Sequence, residues 1–280
     1  MLAPGLYHLV QSLGTQAKWI KELSLQPFHR YVSRCLMLFA VFGLWPLLGA
    51  LGARSWKSVG IISPRDRINE ILLGLLLGLG SLALVAVLAL VAGARHIMPL
   101  LTLEKLLELS LQAGLSAIAV SVLEELLFRG VLYGRLRSIL GHPVSLVLSS
   151  ALYALVHFFE RPPSPASVSW FSGFETLGQM LEGITQWATL FPTFFTLTLV
   201  GVILGQMYDR TGSLFAPIAL HAGWIFWLKL YSAVTVVHPA GPVRIFGSGK
   251  LIDGWTALAV MGLCAWLSTS WQPKKRGDSQ

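Results

Sequence analysis

The chain has 280 residues, of which 54% are hydrophobic and only 12% are charged. A soluble domain carries about 25% charged residues, so the composition excludes an ordinary soluble enzyme. The net charge of +8 would suit a nucleic-acid-binding protein. In a membrane protein, however, Lys and Arg gather in cytoplasmic loops and beside anionic lipid. We therefore expect the lipid bilayer as a partner and no nucleic acid.

Several apolar runs approach the ~20 residues that a helix needs to cross a bilayer. Backbone groups in lipid find partners only inside helices or closed barrels, and the sequence lacks the alternating pattern of a barrel. It therefore predicts an all-α, polytopic membrane protein with about seven to eight transmembrane helices. The predicted crossings lie, in chain order, within residues 35–52, 69–93, 104–140, 143–159, 191–208, 213–234 and 254–271.

The predicted organisation has three parts. Residues 1–34 are basic and amphipathic, which indicates an interfacial arm, whereas residues 35–271 form a transmembrane domain and residues 272–280 a basic tail. The long connection at 160–190 favours an interfacial helix. Basic loops place the C-terminus in the cytoplasm. Counting the predicted crossings back from a cytoplasmic C-terminus places the basic arm on the outside, which conflicts with its charge. Either the arm holds an eighth crossing or residues 35–52 do not cross fully.

The most unusual stretch is Glu-Glu-Leu-Leu-Phe-Arg at 124–129. A charge at membrane depth costs at least ~2.5 kcal/mol, and adjacent carboxylates oppose each other's ionisation. On a helix, Glu125 and Arg129 are an i,i+4 pair that can neutralise each other. Glu124 lies about 100° around the helix from that pair. The spacing thus predicts a structural role for Glu125 and leaves Glu124 for chemistry.

Two histidines also fall within predicted crossings. Ser149, Ser150, Tyr153 and His157 form a polar stripe at helical spacing, and His221 lies in a later apolar helix. A single histidine on an apolar face is usually a packed core residue. Polar features on three separate crossings instead favour one water-filled pocket, where a carboxylate and imidazoles can activate water or hold a metal.

Three motifs therefore occur in a fixed order: Glu-Glu-x-x-x-Arg, an aromatic residue four positions before a histidine, and a histidine after a Thr-Gly-Ser-Leu turn. This combination, over about 110–230, resembles the CAAX-protease and bacteriocin-processing (CPBP, or Abi) family of intramembrane glutamic endopeptidases. The resemblance implies a catalytic core over 110–230 in a prokaryotic plasma-membrane protein. It implies cleavage of membrane-anchored peptides or proteins without a cofactor, and it does not imply a prenylated substrate.

The resemblance also implies roles for individual residues. Glu124 matches the base that deprotonates the attacking water, and His157 matches the histidine that positions this water. His221 matches the histidine that stabilises the oxyanion. Glu125 and Arg129 match the supporting pair of the first motif.

Two positions depart from the family pattern. Tyr153 stands where the family usually has Phe, and Ile225 stands where it has Asn. The second departure removes an amide donor, and the loss of one such donor can cost ~10²–10³ in rate. Trp224 or a neighbouring helix would have to supply a replacement.

Several alternatives remain open at the level of sequence. Glu124, His157 and His221 could instead bind zinc as a Glu/His/His set with one open position. A catalytically silent scaffold or immunity-type protein is a second function class, which Ile225 favours. A proton-coupled transporter is a third, since intramembrane carboxylates and histidines also form proton relays, although no internal repeat typical of transporters is present.

Overall fold

The computed structural model is predominantly helical, which confirms the predicted helical class. The number of membrane crossings stays a prediction. The predicted tail at 272–280 lies outside the described residues. The structure describes residues 2–14, 17–50, 55–99, 101–185, 191, 193–248 and 250–270.

Short 3-10 turns at Trp56–Val59, Pro64–Arg67 and Gly183–Thr185 supplement the helices, and a π-helical segment spans Leu126–Tyr133. The helices are, in chain order, α1 (Leu2–Leu13), α2 (Lys18–Ser24), α3 (Phe28–Ala50), α4 (Ile68–Val91), α5 (Leu103–Glu125), α6 (Gly134–Leu140), α7 (His142–Val156), α8 (Ser172–Glu182), α9 (Thr193–Thr211), α10 (Phe215–Val234), α11 (Val243–Phe246) and α12 (Trp255–Ser270).

The chain forms two compact units. The first comprises Met1–Ala50 and Leu155–Leu190, and the second comprises Leu51–Ala154 and Phe191–Gln280. Within the first unit, α8 coincides with the interfacial helix predicted at 160–190. Aromatic side chains at and just before its start are exposed, which suits contact with a membrane surface; they are Trp170, Phe171 and Phe174. The apolar core of this unit consists of Ala3, Phe28, Tyr31, Val32, Cys35 and Met180.

Helix α10 is the central element of the second unit, where it packs against α4, α5 and α9. Glycines make its approach to α4 unusually close. A Cβ atom on Gly78 would overlap the carbonyl group of Leu220, and one on Gly223 would lie 2.8 Å from the backbone nitrogen of Leu79. Small residues permit helices to pack at this distance, and the contact between α4 and α10 is the most extensive helix contact in the second unit.

Within the part of the chain that the structure describes, two helices are long and apolar enough to cross a membrane, by length and composition: Ile68–Val91 and the continuous helix Leu103–Leu140. Only 28% and 17% of their most apolar stretches are buried. The core helix of a soluble protein would be mostly buried, so the exposed leucines on these helices suit contact with lipid. His142–Val156 and Trp255–Ser270 are shorter apolar helices.

The predicted segment 104–140 is a single helix with a wider π turn in its middle. The π segment begins directly after Glu125 and contains Arg129. π-helical turns are rare overall, and those that occur are often found at functional sites. The helix ends at Leu140, as the predicted range 104–140 expects, and Gly141 follows with φ +77°, a left-handed backbone that favours glycine.

A small two-stranded sheet qualifies the all-α prediction. Strand β1 (Arg95–Ile97) pairs antiparallel with strand β2 (Thr235–Val237), with Arg95 opposite Val237. The guanidinium of Arg95 is buried, and it donates to the Thr235 hydroxyl at 2.8 Å and to the Ser248 carbonyl at 2.8 Å. These bonds compensate for burying the charge, so the segment that follows α4 forms an ordered junction with the segment that follows α10.

Candidate active site

Helix α5 presents a narrow buried stripe that ends in the glutamate pair. Ala113, Ala117, Ser121 and Glu125 follow one another at four-residue intervals, and all four are buried. Because the first three are small, α10 can pack closely against this face. The opposite face exposes Leu107, Leu111, Leu115, Ile118 and Val122.

Glu125 is fully buried and has two cationic or potentially cationic partners. Its Oε1 accepts from Arg129 Nη1 at 2.9 Å and lies 2.8 Å from His221 Nδ1. The ion pair predicted from the i,i+4 spacing is therefore confirmed. Arg129 is itself buried and also donates from Nη2 to the carbonyl oxygen of Gly201 on α9, at 3.2 Å. A buried charge is tolerated when it is paired and hydrogen-bonded in this way.

The contact with Glu125 determines which ring nitrogen of His221 carries a proton. A carboxylate paired with an arginine accepts hydrogen bonds and cannot donate them, so Nδ1 of His221 is the donor. In the neutral ring, Nε2 then bears the lone pair. Nε2 lies 3.2 Å from the hydroxyl of Tyr153 and 3.8 Å from Oε2 of Glu124.

Glu124 occupies a different environment from its neighbour. Its side chain is 24% exposed, whereas that of Glu125 is 0% exposed. The 3.8 Å separation from His221 Nε2 is longer than a hydrogen bond. A partly exposed carboxylate that faces an imidazole nitrogen can act as a general base.

Tyr153 is held on two sides. Its ring meets Phe128 edge-on at a centroid distance of 5.2 Å, and the guanidinium of Arg129 lies over it at 4.6 Å. The tyrosine is only 2% exposed. The aromatic position predicted from the sequence therefore packs against the first motif and also brings a hydroxyl to His221.

His157 and Ile225 complete the set of predicted site residues. His157 directly follows the last residue of α7 and belongs to the first unit, so its place beside Glu124 and His221 stays a prediction. Ile225 lies one helical turn after His221 on α10 and is partly buried. Trp224 does not replace the missing amide, because its indole N–H donates to Ser81 Oγ at 2.8 Å.

Three relationships could not be read from the sequence: the contact of Glu125 with His221, that of Tyr153 with His221, and that of Arg129 with the Gly201 carbonyl. Each joins side chains or backbone from different helices. The Gly201-x-x-x-Gly205 spacing was the one available signal, since it predicts a close helix contact.

The zinc alternative, like the metal-free one, stays a prediction. Among the residues that the structure describes, no three His, Cys, Asp or Glu side chains are placed to hold a metal ion. Both ring nitrogens of His221 already have partners, Glu125 at Nδ1 and Tyr153 at Nε2. A zinc ion at Nε2 would have to displace the tyrosine hydroxyl.

Comparison with known proteins identifies the family that the chain resembles. Residues 106–227 match the family described as Rce1-like, the type II CAAX prenyl endopeptidase Rce1-like proteins. The match includes Glu124, Arg129, His157 and His221, and it confirms the family recognised from the sequence motifs. No curated protein and no solved structure matches the chain. Together with the apolar helices, the family match indicates an integral membrane protein.

Proposed function

With residues 106–227 matching the CAAX-protease family, we propose that this protein is an intramembrane endopeptidase of the glutamic type. Its substrates are membrane-associated proteins or peptides. Glu124 is the base, His221 stabilises the oxyanion, and His157 positions the water. No metal takes part in the proposed reaction.

In the proposed reaction, Glu124 removes one proton from a water molecule, whose oxygen attacks the carbonyl carbon of the substrate. The new C–O bond forms as the carbonyl electrons move onto oxygen, which gives a tetrahedral oxyanion. His221, protonated at Nε2, donates to this oxyanion. When the intermediate collapses, the C–N bond breaks and the amine leaves with the proton that Glu124 had taken.

The single observation that carries this proposal is the orientation of His221. Its Nδ1 donates to the buried Glu125, which Arg129 neutralises, and Nε2 therefore faces Glu124 at 3.8 Å. Preorganised groups of this kind lower the barrier because they need no rearrangement during the reaction. The partly buried acid Glu124 and the oriented imidazole of His221 supply the base and the electrophile that peptide hydrolysis needs.

The test uses two internally quenched peptides of one sequence that ends in a CAAX motif, one S-farnesylated and one unmodified. Wild-type protein in liposomes is expected to cleave at least one of them. Glu124→Gln is expected to lower the rate by about 10²–10⁴-fold, and His157→Ala and His221→Ala are expected to lower it as well. Glu104→Gln is the matched control, since Glu104 is an exposed residue at the start of the same helix.

The same variants are then expressed in cells, and new protein N-termini in the membrane fraction are identified by mass spectrometry. We expect N-termini that require Glu124 and that persist in Glu104→Gln. If wild-type protein cleaves neither peptide and produces no Glu124-dependent N-termini, the endopeptidase proposal is wrong.

A further inference from the structure

The hydroxyl of Tyr153 contacts the ring nitrogen of His221 that faces Glu124. The two atoms, Tyr153 Oη and His221 Nε2, are 3.2 Å apart in a buried environment. Burying a hydroxyl without a partner is costly, and the hydrogen bond to His221 compensates for burying the Tyr153 hydroxyl. The nitrogen in this contact is Nε2, which also faces Glu124.

Nδ1 of His221 is committed to Glu125, so every change in the protonation of this ring takes place at Nε2. A tyrosine hydroxyl can both donate and accept hydrogen bonds. It can donate to Nε2 when His221 is neutral, and it can accept from Nε2–H when the ring is protonated and no oxyanion is present. A phenylalanine at this position would do neither.

The position of the hydroxyl is fixed by its ring. Phe128 meets the ring edge-on, and the Arg129 guanidinium lies over its face. Both neighbours belong to the π segment that follows the glutamates. The hydroxyl is therefore anchored to the same element that carries the counter-charge of Glu125, rather than to the helix that carries His221.

We propose that Tyr153 is a positioning residue for His221: its hydroxyl keeps Nε2 directed at Glu124 in both protonation states of the ring. This inference rests on the proposed endopeptidase function and adds a residue to it. Without the hydroxyl, the Nε2 edge of the ring loses the hydrogen bond that orients it, whereas the contact of Nδ1 with Glu125 remains.

Tyr153→Phe removes only the hydroxyl and retains the ring packing. With the quenched CAAX peptide that wild-type protein cleaves, we expect kcat to fall about 10- to 100-fold while KM changes less than about twofold, as for a group that acts in the transition state. Tyr231→Phe is the matched control, because the buried Tyr231 hydroxyl donates to the Ala86 carbonyl at 3.0 Å. Incorporating 3-fluorotyrosine at 153 retains a hydroxyl and is expected to restore most of the rate.

A second measurement does not depend on cleavage. The protein is labelled with ¹⁵N-histidine, and the Nε2 signal of His221 is assigned by its loss in His221→Gln. The chemical shift of this signal is expected to change in Tyr153→Phe and to keep its wild-type value in Tyr231→Phe. An unmoved signal would overturn the inference. So would a wild-type kcat in Tyr153→Phe, or an equal loss of kcat in both tyrosine variants. If Glu124→Gln is inactive while Tyr153→Phe is fully active, the proposed function stands and the role of Tyr153 does not.

Discussion

His221 and Glu125 are joined by a 2.8 Å contact between Nδ1 and Oε1, across 96 positions of sequence. Glu125 thus links the histidine of α10 to the arginine of the π segment, and it neutralises the arginine while it orients the histidine. Glu125, the fully buried member of the pair, is a structural centre of the site. Glu124, the partly buried member, faces Nε2 of the histidine that Glu125 orients.

Replacing Glu125 tests this dual role. Glu125→Gln leaves the Arg129 guanidinium buried without a counter-charge, and removing one partner of a buried pair costs about 3–5 kcal/mol. We expect a marked fall in the melting temperature of the purified protein in detergent. Cleavage is expected to fall too, because the amide can present its NH₂ group to Nδ1.

The matched control for that variant is Glu108→Gln. Glu108 pairs with Lys105 at 2.8 Å, but both side chains are half exposed. Exposed pairs contribute little, so the melting temperature is expected to stay unchanged. Equal effects of the two substitutions would contradict the importance of the buried pair.

Gly78 tests the close contact between α4 and α10. Gly78→Ala places a Cβ atom against the Leu220 carbonyl, which forces the helices apart because backbone cannot yield as a side chain can. We expect a lower melting temperature and lower activity, since α10 carries His221. Gly80→Ala on the same helix meets nothing within 4 Å and is expected to be neutral or stabilising by up to about 1 kcal/mol. A tolerated Gly78→Ala would contradict the packing described here.

Ile225 offers a test by gain of function. Asn at this position would place an amide one helical turn after His221, on a similar face of α10. Because one donor to an oxyanion is worth ~10²–10³ in rate, we expect Ile225→Asn to raise kcat/KM for the quenched peptide by at least about tenfold. Ile225→Val serves as the control and is expected to leave the rate unchanged. A folded Ile225→Asn protein with no gain in rate would show that the amide does not reach the reacting atoms.

Metal analysis tests the metal-free mechanism. We expect purified, active protein to contain less than one zinc ion per chain and to keep its cleavage rate in 1,10-phenanthroline, because the ring nitrogens of His221 are already bonded within the protein. A zinc endopeptidase assayed in parallel shows that the chelator works. Stoichiometric zinc, together with a loss of activity that added zinc reverses, would establish the metal alternative instead.

Local spacing in the sequence was enough to predict the helices, the ion pair between Glu125 and Arg129, and the end of the predicted segment at residue 140. These features depend on residues within a few positions of one another. The contacts of His221 were beyond reach, because they require α10 to approach both α5 and α7. The pairing of Arg95 with Val237 was missed for a similar reason, since three-residue strands are too short for an alternating pattern.

Arg129 reaches α9 through the main-chain oxygen of Gly201, and this has a consequence for mutational scanning. No change of side chain deletes a carbonyl, whereas any larger residue at Gly201 collides with Ser150. A scan would therefore score position 201 as intolerant for reasons of space alone. Its part in the electrostatics of the site would become visible only through a backbone substitution, such as an ester in place of the amide that follows Gly201.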